Sequence, residues 1–63
     1  MNKSVIITVL DFFEGEVDIF QAFVSDEDTD VEVQDIIEER GHHIQDCHYM
    51  FSDPNKIKIK VDL

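Results

Sequence analysis

Apolar and polar positions alternate with a period of two over most of this chain and switch to a helical period only once. Residues 4–13, SVIITVLDFF, are β-branched and aromatic, and residues 16–24, EVDIFQAFV, repeat that character beyond Gly15. The pattern predicts a β-hairpin, with Gly15 in the left-handed position after a type I turn at Phe13 and Glu14. A polar run at 25–30, SDEDTD, ends the second strand, and Val33, Ile36 and Ile37 then recur at helical spacing. Thr29 and Glu32 have the spacing of a capping box, acids crowd the first turn, Arg40 falls in the last turn, and Gly41 follows as the C′ residue. A helix over 30–40 is expected.

Beyond Gly41, the run from Ile44 to Phe51 reads as a third strand and Asp53-Pro54-Asn55 as a type I turn. The last eight residues, KIKIKVDL, alternate as a fourth strand: Ile57, Ile59, Val61 and Leu63 on one face, Lys56, Lys58, Lys60 and Asp62 on the other. The expected fold is α+β, a single domain over 1–63 with the order ββαββ, one helix packed on a four-stranded, mainly antiparallel sheet. A right-handed crossover through the helix passes over strand one, which places that strand inside the sheet. Its sequence agrees, with Val5, Ile7 and Val9 on one face and Ile6, Leu10 and Phe12 on the other. The lysine-bearing fourth strand suits an edge, giving the order 2-1-3-4. A β-grasp-like order 2-1-4-3, with strands one and four parallel at the centre, fits the same pattern.

Composition narrows the class. A fold of 63 residues buries only about 60% of its unfolded surface, so its stability is modest. The single cysteine, Cys47, rules out an internal disulfide, and a reduced, cytoplasmic setting is expected. The uncharged stretch from Ser4 to Leu10 is far short of the ~20 residues of a membrane helix and lacks a cleavage site, so no export or membrane segment is expected. With 43% hydrophobic residues and five Phe, the chain is too apolar for a disordered acidic tail.

Charge changes the picture more. The formal net charge is −10, and the twelve acids between Lys3 and Arg40 meet no base. Direct nucleic-acid binding is not expected, because phosphate contacts need Lys and Arg; the complement is a basic protein partner. Asp28, Glu32, Asp35 and Glu39 fall on one helix stripe at about one charge per 5 Å, against about 1.7 Å for a nucleic-acid duplex and about 3.4 Å for a single strand. Mimicry of nucleic acid by this stripe requires the hairpin-tip acids Glu14, Glu16 and Asp18 to extend it; otherwise the acids form a solvated face.

Three constellations carry candidate chemistry. Asp26, Asp28 and Asp30 match the first ligand positions of an EF-hand loop, but Val31 stands where glycine is needed and Ile37 where the bidentate Glu is needed. His43, Cys47 and His48, with a fourth ligand from Asp46 or Asp11, have the composition of a transition-metal site. On a strand, however, His43 and Cys47 stand about 13 Å apart and residues 47 and 48 face opposite ways, so no cofactor is expected; His42 then packs against the helix end as its C″ residue. The same parity separates a Cys47–His48 dyad, and no nucleophile–base pair or phosphate loop is present, so the chain does not read as an enzyme.

Finally, Ile6, Leu10, Phe12, Phe13, Phe20, Phe23, Tyr49 and Phe51 are too many large residues for the one sheet face a single helix covers. Some, with Phe12 and Phe20 as candidates, should form an apolar interface. The expected function is a small acidic interaction module that binds a basic protein, as an inhibitor or nucleic-acid mimic in one form. A metal-binding domain centred on 42–48 and a structural homodimer without ligand are the alternatives.

Overall fold

The computed structural model describes residues 2–56 and 58. Strands β1 (Asn2–Asp11) and β2 (Glu16–Ser25) form the hairpin, helix α1 (Thr29–Glu39) follows, and β3 (Cys47–Ser52) completes a three-stranded antiparallel sheet in the order β2-β1-β3. The expected α+β architecture and the central place of the first strand are both present. Direct pairing of β1 with β3 leaves no room for a strand between them, which removes the β-grasp-like order. The fourth-strand reading of 56–63 falls mostly outside the described residues; Lys56 itself belongs to a 3₁₀ turn at Pro54–Lys56. That turn is closed by the Lys56 N–H donating to the Asp53 carbonyl at 2.9 Å, with proline at its second position.

Alternation decides what the sheet buries. Val5, Ile7 and Val9 point to the helix side and join Val24, Val33, Ile37 and Cys47 in the core, with Phe20, Ala22, Ile36, Ile44, Tyr49 and Phe51 packed around them. A fully buried side chain of this kind is worth about 1.5–3 kcal/mol. These few contacts therefore carry most of the fold. The opposite face bears Ile6, Leu10, Val17, Ile19, Phe23 and Met50, and no described element covers it.

Two local expectations are corrected. Asp28 is the N-cap of α1 and makes no side-chain cap bond, so the Thr29–Glu32 capping box does not form. Both side chains instead hold Ser25 at the end of β2: the Thr29 hydroxyl donates to its carbonyl at 2.7 Å, and its N–H donates to Glu32 Oε2 at 2.8 Å. The third strand begins at Cys47, and Ile44–Asp46 form a 3₁₀ turn. The cause is the length of β1. Its last pair is Asp11 with Cys47, and the Phe12 N–H closes the ladder on the Asp46 carbonyl at 3.1 Å, beyond which the hairpin turns away. Among the described residues, 44–46 thus have no strand to pair with.

Helix α1 ends in a Schellman motif. The Gly41 N–H donates to the Glu38 carbonyl at 3.0 Å and the His42 N–H to the Ile37 carbonyl at 3.3 Å, with Gly41 at φ +96. Arg40 is the C-cap residue, one position past the last turn. Gly15, at φ +66, takes the expected left-handed position in the hairpin turn.

Candidate functional site

Asp11 continues the Val5, Ile7, Val9 series, so alternation delivers a carboxylate to the core face at the end of β1. Burial there demands a partner. The Schellman turn supplies it: His42, its C″ residue, is as deeply buried as Asp11 and sets Nδ1 2.7 Å from Asp11 Oδ2. The other ring nitrogen, Nε2, lies 2.9 Å from Oδ2 of Asp18, which β2 places opposite Val9 on the same face. Glu16 Oε1 stands farther off, at 3.9 Å from Nε2.

Each carboxylate is fixed from its far side. Asp11 Oδ1 accepts the backbone N–H groups of Phe13 at 3.1 Å and Glu14 at 3.0 Å. Asp18 accepts both arms of the Arg40 guanidinium at 2.7 Å, and that guanidinium lies 3.9 Å above the Phe20 ring. The result is a chain of alternating charge, Asp11, His42, Asp18 and Arg40, running from the interior to the surface. It fastens the helix end to the hairpin end of the sheet, and among the described residues no buried side-chain polar atom lacks a partner.

The electrostatics follow from those contacts. Hydrogen bonds to Asp11 and then to Asp18 raise the His42 pKa above 6.5 against the opposing effect of burial, which favours an imidazolium that donates from both nitrogens. The Arg40 fork, helped by His42, holds Asp18 down to about 2. His42, followed by the turn N–H groups, lowers Asp11 as well.

No family model, curated protein or solved structure matches this chain.

Cys47 completes the cluster. Its Sγ, a ring nitrogen of His42 and a carboxylate oxygen of Asp11 all lie within 4.8 Å of one another, and all three residues are buried. Burial, with the nearby charges of Asp11 and Asp46, raises the thiol pKa. A protonated thiol beside an imidazole with both nitrogens engaged is a poor nucleophile–base pair, but it is a set of donors drawn from three segments.

The residues singled out by sequence are placed differently. Of His43, Cys47 and His48, only Cys47 points inward; His43 and His48 are exposed, and the His48 ring stands edge-on to Phe12 with centroids 5.1 Å apart. These three do not converge, because strand parity turns residue 48 outward and the 3₁₀ turn leaves His43 at the surface. On the acidic stripe, Asp28, Asp35 and Glu39 are exposed, whereas Glu32 is half-buried by its bond to Ser25. Glu14 and Glu16 are exposed beside the hairpin turn. Phe12 is exposed at that turn, but Phe20 lies on the helix side beneath Arg40, off the open face where an interface was expected. Sequence reasoning missed His42, Asp18 and Arg40 as members of a site; the available signal was the acid at the fourth core-facing position of β1.

Proposed function

We propose that the protein is a small, non-enzymatic interaction module that binds a basic protein partner through the sheet face that no described element covers. One observation carries the reading. Leu10, Val17, Ile19, Phe23 and Met50 line that face with exposures from 42% at Leu10 to 72% at Phe23, in a chain of formal charge −10. An apolar surface of this kind on a small soluble fold is usually an interface. Phe12, whose ring meets the open-face His48, extends it toward the hairpin turn, where Glu14 and Glu16 add charge at its margin.

Charge selects the partner. A second copy brings another ten negative charges to the contact, whereas a basic protein is drawn in. The helix acids Asp28, Asp35 and Glu39 lie on the far side of the sheet, so they act on the approach of the partner, and the apolar face supplies the contact. A partner whose basic groove normally meets phosphate is one form of this reading.

The test is cross-linked capture at low and high salt with three proteins: the wild type, Ile19→Asp with Phe23→Asp, and Asp35→Lys with Glu39→Lys. The expected result is a basic protein retained by the wild type at low salt, lost with the first variant and weakened with the second, all three keeping the wild-type far-UV circular dichroism. Capture unaffected by either variant overturns the reading. So does a reversible homodimer, seen by sedimentation, that Phe23→Asp dissolves.

A further inference from the structure

We propose that Asp11, His42 and Cys47 form a binding site for a divalent ion of the zinc class. This goes beyond the interaction reading and does not depend on it. The donors are one carboxylate oxygen, one imidazole nitrogen and one sulfur, the mixed set that zinc accepts.

Geometry supports the assignment. Metal–donor distances of about 2.0–2.3 Å in a tetrahedron set donor atoms about 3.5 Å apart. The Asp11–His42 pair, now at 2.7 Å, opens by less than an ångström, and the widest separation, at most 4.8 Å, closes by little more than one. Such shifts are within the reach of side-chain rotation. Asp11 also lines a small cavity of about 90 Å³ with Phe13, Glu14, Gly41, His43 and Asp46, so solvent space reaches one of the three ligands.

The surroundings resemble those that metal ligands need. A metal-bound imidazole is usually oriented by a carboxylate on its other nitrogen, and Asp18, itself clamped by Arg40, holds Nε2 of His42 in that way. A ligating carboxylate is likewise hydrogen-bonded, and Asp11 receives two backbone N–H groups on the oxygen that does not face His42. A divalent ion held by the Asp11 carboxylate, a Cys47 thiolate and a neutral His42 imidazole would be charge-compensated, so burying it adds no unpaired charge to the interior.

The test uses the reduced, metal-free protein and Co²⁺ as a spectroscopic probe, with Zn²⁺ as competitor. The expected result is one equivalent of Co²⁺ bound by monomeric protein, with tetrahedral d–d bands and a near-ultraviolet sulfur-to-cobalt charge-transfer band. Because the chain has one cysteine, that band reports Cys47 in the wild type and needs no variant. Zn²⁺ should bleach the bands and raise the melting temperature by several degrees, since an ion that binds only the folded state stabilises it. Cys47→Ser should abolish the charge-transfer band, and His43→Ala with His48→Ala should leave it intact. Absence of the band, or its loss in the His43→Ala, His48→Ala protein, overturns the proposal.

Discussion

Replacing His42 by glutamine in the metal-free protein removes the cation that Asp11 and Asp18 share. Breaking a buried ion pair from one side costs about 3–5 kcal/mol, because the remaining charge is left uncompensated. Here each carboxylate keeps other donors, the Phe13 and Glu14 N–H groups for Asp11 and the Arg40 fork for Asp18. The loss should therefore fall near the lower end, about 3 kcal/mol. A domain of this size has roughly 3–9 kcal/mol in all, at about 0.05–0.15 kcal/mol per residue. The variant should thus lose a third or more of its stability and melt on the order of 12–24 °C lower. A pH signature separates this cause from simple loss of packing. His42 is raised from 6.5, so its contribution is complete below that pH and is lost as the pH climbs through the raised value. Asp18 is lowered from 3.8 to about 2, so its contribution is complete above 3.8 and is lost as the pH falls toward 2. The wild type should be most stable between about pH 4 and 6.5 and weaken on the alkaline side. The glutamine variant should lack that alkaline decline. Urea unfolding followed by far-UV circular dichroism in chelator, from pH 4.5 to 9, measures both effects. A loss below 1 kcal/mol, or the same alkaline slope in both proteins, refutes the charged bridge.

Gly41→Ala should cost about 1–2 kcal/mol by thermal melting, because φ +96 strains any L side chain while the added Cβ meets no atom within 4 Å. An unchanged melting temperature would mean that the turn relaxes to another geometry. Raising the salt from about 10 mM to about 150 mM shortens the screening length from about 30 Å to about 8 Å and should raise the melting temperature, since the acids of α1 and of the loop before it outnumber their bases. A steady fall would mean that attraction within pairs such as Arg40–Asp18 outweighs that repulsion.

Most of the sheet and helix was legible because each has one face in the core, and burial prints its period on the sequence. Val5, Ile7 and Val9 reveal β1; Val33 and Ile37 reveal α1. The start of β3 was not legible, because Ile44 is apolar whether it pairs in a strand or packs from a 3₁₀ turn, and the choice is made by where β1 stops. Capping at Thr29 misled for a related reason: Ser25, brought close by the fold, took the bonds that a local box would use. The His/Cys segment pointed to the right part of the chain and the wrong imidazoles. His42 is selected by the backbone turn that aims it inward, and its partners lie 31 and 24 residues away. Such distances leave no trace in local periodicity.

The Schellman turn also sets the length of α1. Its last residues aim His42 at Asp11 and Asp18 at one rotational setting, and each residue inserted or deleted upstream turns that setting by about 100°. A single insertion between Val33 and Ile37 would swing the imidazole out of the sheet interior, whereas four residues would return it to within about 40° and seven to within about 20°. Substitutions on the solvent side, at Asp35 or Glu39, leave the setting untouched. In related chains the helix should therefore vary freely in its outward residues and change length only by near-whole turns, with single-residue length changes confined to the polar segment at 26–28.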